Sequence, residues 1–270
     1  MHASQLTRLL VASSVVGLYM ALGWGLRLDP NAYLLLGIPL LWFFQVFVAR
    51  RPVTELWLKQ PPSRFLTGKA LLAAVPFMIV PVWSAVSDWK EASWPVRLWF
   101  GACVAGTLPL GATLVRATLK TWIALLGCLL TAGLLYVVMA VGISFALHHG
   151  KFYPHHDSYR IVARWFLLYL PICFSVEEVF FRGGIDSYVQ REGDRFGWLT
   201  AIWVSCLWGW WHMPIFKNYA AGPMIVAAVM LPLMMCLPGI PFSIFWRRSG
   251  SLLVTATVHA LIDGIRNAMM

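Results

Sequence analysis

Residues 166–182 read FLLYLPICFSVEEVFFR, an apolar run with two adjacent acids, Glu177 and Glu178, and one base, Arg182, set inside it. A run of this character is a membrane helix by its length and hydrophobicity, yet each ionisable group near a bilayer centre costs about 2.5–3.5 kcal/mol on insertion scales. An adjacent pair of acids there calls for neutralisation, a cavity or a function. The rest of the chain supports the bilayer reading. Of 270 residues, 60% are hydrophobic and only 12% charged, and the mean hydropathy is +0.71. Such a composition excludes an ordinary soluble domain.

Working outward, apolar runs near 9–26, 32–49, 70–87, 98–115, 121–147, 163–181, 198–216, 220–246 and 251–266 approach the length of a crossing. The expected fold is therefore all-α, a polytopic transmembrane helical bundle with about eight or nine segments. The run 220–246 is the least regular, because Pro223, Pro232, Pro238 and Pro241 interrupt it. Two parts follow from the distribution of polar groups: residues 1–150 as amino-terminal spans and 151–270 as a core carrying the chemistry.

The net charge of +10 does not form a basic stripe, so it indicates no nucleic acid. Its groups lie in short loops: Arg50, Arg51, Lys59, Arg64 and Lys69; Arg116 and Lys120; Arg247 and Arg248. The positive-inside rule places these loops, and with them the N-terminus, in the cytoplasm. The stretch 52–69 reads as a short interfacial segment. Trp89, Trp94 and Trp99, and Trp208, Trp210 and Trp211, fall near the ends of runs, where indole rings anchor at headgroup level. The five cysteines have no CxxC spacing and read as small packing residues.

Arg182 follows Glu178 by four residues, the spacing of a helical ion pair, while Glu177 is turned by roughly 100° from its neighbour. This divides the labour: Glu178 and Arg182 lock the helix, and Glu177 is left to face a cavity as a general base toward water. The structural alternative is a single buried salt-bridge cluster of all three. Of seven histidines, His212 and His259 lie in apolar runs. His212 precedes Met213-Pro214, a helix break that admits water, and His259 shares a helix face with Asp263 four residues on. His148, His149, His155 and His156, with Lys151 and Asp157, form a loop cluster that reads as solvated rather than as a surface metal site.

One carboxylate base with two imidazoles can activate water, protonate a leaving amine and stabilise an oxyanion, which is what peptide hydrolysis requires. The same residues can ligate zinc with water completing the shell, although no HExxH pairing is present. Cys173 and Ser175 are weaker candidates as nucleophiles, since neither has a histidine at a local activating spacing. From a different class, Glu177, Glu178 and the histidines would suit the proton or cation path of a transporter. A catalytically inactive scaffold is the third reading.

At these residues the chain resembles the CPBP family, the CAAX prenyl protease type II or ABI intramembrane proteases. Glu177 to Arg182 stands for its EExxxR, Trp208 to His212 for its FxxxH and His259 to Asp263 for its HxxxN/D, three ordered motifs within 165–266. The resemblance implies a glutamic intramembrane protease that cleaves a membrane-anchored protein or peptide substrate in the lipid bilayer. It implies that Glu177 with His212 activates the water, that His259 with Asp263 forms the oxyanion side, and that Glu178 with Arg182 supports the first pair. No cofactor is expected, with zinc as the alternative, and the expected location is a bacterial cell membrane.

Two departures stand out. Trp208 replaces the usual Phe, expected to keep aromatic bulk and reshape only the wall. Asp263 stands where many members have Asn; an ionised carboxylate repels an oxyanion, so it must be protonated or act by orienting His259 instead. Depth poses a further problem, because Glu177 and His212 both come late in consecutive antiparallel runs. A first helix continuing through Arg182 toward Gln190, or a shortened, tilted second one, would bring them level.

Overall fold

The computed structural model describes residues 4–147, 157–190, 197–216 and 221–269. Among them the secondary structure is helical apart from one isolated bridge, Leu58 to Ser251. The helices are α1 (Gln5–Gly25), α2 (Pro30–Phe43), α3 (Gly68–Asp88), α4 (Trp94–Leu114), α5 (Leu119–Cys128), α6 (Leu134–Leu147), α7 (Ser158–Cys173), the short α8 (Ser187–Val189), α9 (Trp198–Trp211), α10 (Ala221–Ser249) and α11 (Leu252–Met269). Wide π-type turns continue α2 at Phe44–Val48, join α5 to α6 at Leu129–Gly133 and lead into α8 at Val179–Asp186. The described residues of the nine apolar runs are mainly helical, and five segments are long and apolar enough to cross a membrane: Gln5–Gly25, Pro30–Val48, Gly68–Asp88, Leu119–Gly142 and Pro223–Ser249. The histidine cluster at 148–156 lies outside the described residues.

Polar side chains set the starts. Ser4, Asp29, Thr67 and Thr118 each accept a hydrogen bond from a backbone N–H of the first turn, and Thr118 with Thr121 completes a reciprocal capping box. α10 differs from expectation. Despite Pro232, Pro238 and Pro241 it is one continuous helix. The Ala228 carbonyl, which Pro232 leaves without its helical donor, accepts from Trp210 Nε1 of α9 at 2.8 Å, and the helices approach closely there: a Cβ on Gly209 would lie 2.6 Å from Pro232 N and one on Gly239 2.8 Å from Ser205 Cβ.

The carboxy-terminal elements form the interior. α7 packs against α11 and α4, and α9 against α10. Trp99, Trp208 and Trp211 are buried against protein rather than exposed as anchoring rings, whereas Trp89 and Trp94 are exposed. Tyr19, Tyr33, Phe180, Phe181 and Trp211 stack into an aromatic wedge, and Tyr33 Oη donates to the Trp211 carbonyl at 2.7 Å. A single apolar face of each element is thus buried against aromatic volume, while α1, α3 and α5 keep large apolar side chains outward, as lipid contact requires.

The segment after α2 is docked rather than lying free at an interface. Val53–Leu56 forms one 3-10 turn, Leu56 and Leu58 are buried, and the Lys59 N–H and Trp57 carbonyl pair with Gly250 and Leu252. Arg51 Nη1 donates to the Ser187 carbonyl at 3.1 Å. The loop charges also divide. Arg247 turns inward and holds the buried Asp186 through Nε at 3.0 Å and Nη2 at 2.6 Å.

Candidate active site

The position of the acid pair is set by an interruption of its helix. α7 carries Pro171 in its last turn, ends at Cys173, and the chain passes through Phe174–Val176 before helical structure resumes at Glu177. Proline removes one N–H and leaves carbonyls to be satisfied from elsewhere. Trp57 Nε1 donates to the Phe174 carbonyl at 2.6 Å, and Ser175 Oγ donates to the Ala102 carbonyl at 2.9 Å. Helical structure then runs from Glu177 to Val189, so Val189 lies roughly 15–18 Å further along the bundle. Glu177 is accordingly midway along a long broken helix. Both adjustments expected for the depth conflict are present: helical structure continues toward Gln190, and the next helix, α9, is only 14 residues long.

The two acids then separate. Glu178 is fully buried, with Oε2 3.6 Å from Arg182 Nε and Oε1 3.1 Å from His259 Nδ1. Arg182, also buried, donates from Nη1 to Ser243 Oγ at 2.9 Å and lies over the rings of Trp208 and Phe242 at 5.2 and 5.7 Å. Glu177 retains 21% side-chain exposure, and its Oε2 accepts from Trp208 Nε1 at 3.2 Å. No single three-member salt bridge forms: Arg182 takes Glu178, and Glu177 turns toward Trp208 and His259.

α9 ends where the sequence breaks, with His212 as its carboxy-terminal cap ahead of the 3-10 turn Met213–Phe216. His212 Nδ1 lies 2.8 Å from the Trp208 carbonyl. A carbonyl only accepts, so Nδ1 carries the proton and the neutral ring offers Nε2 as an acceptor. Trp208 therefore fixes both groups, Glu177 through its indole N–H and His212 through its carbonyl. A phenylalanine at this position would supply only the second.

From α11, His259 brings both ring nitrogens to carboxylates: Nδ1 to Glu178, and Nε2 to within 3.8 Å of Glu177 Oε2 and 3.6 Å of Asp263 Oδ2. An imidazolium, with two N–H donors, satisfies that surrounding; Trp208 meets the ring edge-on at 5.2 Å. Glu178 thus orients His259, whereas the resemblance implied that it supports Glu177 and His212. Asp263 Oδ1 pairs with Arg266 Nη1 at 3.1 Å. Arg266 was not among the sequence candidates, although its i,i+3 spacing from Asp263 was open to view.

Cys173 is buried beneath the break and Ser175 is committed to Ala102, so neither presents a nucleophile at the open side. Zinc requires donors converging on one point about 2.0–2.3 Å away. Among the described residues no three His, Cys, Asp or Glu side chains are so placed, and both nitrogens of His259 are directed at carboxylates. The donor set does not fit the ion.

The model of the family described as "Type II CAAX prenyl endopeptidase Rce1-like" matches residues 159–265, which span α7 to α11 and hold every residue of the cluster just described. No curated protein and no solved structure matches the chain. With five helices long and apolar enough to cross a membrane, the chain is an integral membrane protein, and its residues 159–265 are similar to the Rce1-like family of type II CAAX prenyl endopeptidases.

Proposed function

We propose that the chain is an intramembrane endopeptidase that hydrolyses a peptide bond of a membrane-anchored protein or peptide with a water activated by Glu177, without metal. The observation that carries this reading is the separation of the acids: Glu178 is held by Arg182 and His259, while the Glu177 carboxylate keeps its exposure beside both histidines' supporting groups. The reading rests on the protease family matched over 159–265 and on the geometry that leaves one base available.

The chemistry divides among the residues. Trp208 holds Oε2 of Glu177, leaving Oε1 to take a proton from water, and Nε2 of His212 accepts a second hydrogen bond from that water. The resulting hydroxide adds to the substrate carbonyl carbon. The oxyanion that forms is met by His259 Nε2–H, whose ring is held by Glu178 through Nδ1. Protonated Glu177 then delivers its proton to the departing amine as the C–N bond breaks, and the base is regenerated. No covalent enzyme intermediate is needed.

The experiment uses purified protein in liposomes with a panel of lipidated and single-span peptides, each with and without chelator. Cleavage at a defined bond that chelator leaves unchanged is expected. Cleavage abolished by chelator and restored by zinc would overturn the metal-free route. Proton or cation flux without cleavage of any peptide would replace the protease with a transporter.

A further inference from the structure

Asp263 and Arg266 form an ion pair at 3.1 Å on the last two turns of α11, one turn from His259, and only Asp263 has a defined place in the site. Its other oxygen is 3.6 Å from His259 Nε2, the atom that meets the oxyanion in the proposed reaction. An anionic side chain at that distance opposes the charge that develops in the transition state. An asparagine there would not. The charges around the site show how the opposition is relieved. Three carboxylates, Glu177, Glu178 and Asp263, face Arg182, Arg266 and an imidazolium at His259. Arg182 is fully buried and spent on Glu178, so Arg266 is the cation that answers Asp263.

Resting on the glutamate-water reading, we propose that Arg266 is a positioning residue of the reaction: by pairing with Asp263 Oδ1 it cancels the charge of that carboxylate, so that Asp263 can align His259 without repelling the oxyanion. The pair as a unit does the work of a neutral hydrogen-bonding side chain. Arg266 keeps 42% of its side chain exposed and sits at the end of α11, a place where its loss leaves the packed interior intact. A purely structural role at a helix carboxy-terminus, where a cation favours the helix dipole, has a different signature. That role would be lost equally whichever residue occupies position 263.

The test is a double-mutant cycle on a membrane-anchored peptide that the wild-type protein cleaves, with Glu177→Gln as the reference for the parent reading. Arg266→Gln is expected to lower kcat roughly thirtyfold with KM little changed, because the charge matters most in the transition state. In the Asp263→Asn background the same substitution should cost less than about threefold, and Arg266→Lys should keep most of the rate, since the first has no carboxylate charge to offset and the second still supplies a cation to offset it. Equal losses in the two backgrounds, or an Arg266→Gln protein as fast as wild type, would overturn the proposal. An Asp263→Asn protein with no activity at all would do so too, by showing that the carboxylate charge is itself required. Melting temperature and monodispersity in detergent are followed for each variant; a loss of rate that tracks a loss of fold counts against the proposal. If Glu177→Gln is inactive while Arg266→Gln is not impaired, only this inference fails, whereas an active Glu177→Gln removes the parent reading and the inference with it.

Discussion

Roughly two turns apart on one irregular helix, Glu178 and Asp186 each bury a carboxylate against an arginine, and they do so in opposite styles. Asp186 is gripped bidentately by the Nε/Nη2 edge of the Arg247 guanidinium, and Arg247 also donates to the Gly197 carbonyl and Thr200 Oγ1 at 2.8 and 2.9 Å. Glu178 lies 3.6 Å from Arg182 Nε, beyond hydrogen-bond length, and its Oε2 and Arg182 Nε and Nη2 have no protein hydrogen-bond partner among the described residues. A saturated bidentate pair in low dielectric fixes geometry; a loosely held one leaves charge to be shared with a neighbour, here His259. One end of the segment anchors it to α9 and α10, and the other end carries the acids to which we assign the chemistry.

The contrast is broken most severely by Asp186→Ala. It strands Arg247 in a dry interior, for an expected loss of about 3–5 kcal/mol, read as a drop in melting temperature or loss of monodispersity in detergent. Glu178→Gln sharpens the contrast. It keeps shape but frees Arg182 and unseats His259, and it should reduce kcat about a hundredfold while costing stability only about 2 kcal/mol. Trp208→Phe preserves the ring stack and removes the indole N–H from Glu177; kcat is expected to fall about tenfold, equivalent to about 1.4 kcal/mol, with melting unchanged.

The smallest effect belongs to Lys59, at the anchored end, where it donates to Gln190 Oε1 at 2.6 Å and lies over Trp246. Burial lowers its ammonium to about 8, with Asp186 acting in the opposite direction. Between about pH 8 and the ordinary lysine value near 10.4 the unfolded chain binds the extra proton, so this group's contribution to stability rises with pH across that window. Below about pH 8 the folded side chain is protonated as well and the contribution is at its least favourable. Lys59→Met should therefore flatten the rise in melting temperature from pH 8 to 10 relative to wild type, and an unchanged slope would show that Lys59 is not buried as described.

Much of this was legible in the sequence because hydrocarbon permits few solutions. Long apolar runs become helices, and an Glu177–Glu178–Arg182 triad with His212, His259 and Asp263 cannot be hidden among so few charges. What escaped was set by tertiary contacts. Pro171 stood one turn before the break at Phe174–Val176, but the freed Phe174 carbonyl is answered by Trp57, from a segment far away in the chain. Arg247 carried the signature of a cytoplasmic loop, and only Asp186, on another element, turns it inward. Trp208 read as wall because an aromatic residue was expected there, and its N–H gains meaning only once Glu177 is beside it. Prolines suggested a broken α10, but it is continuous, and the Ala228 carbonyl freed by Pro232 accepts from Trp210 on another helix.

The most direct test of the division between the acids is a paired assay of Glu177→Gln and wild type, measuring peptide cleavage in liposomes and thermal unfolding in detergent on the same preparations. The account predicts a fall in kcat of at least about a hundredfold with a melting temperature within error of wild type, since it assigns Glu177 as the base and glutamine can still accept from Trp208 Nε1. Cleavage at the wild-type rate by folded Glu177→Gln protein would contradict it.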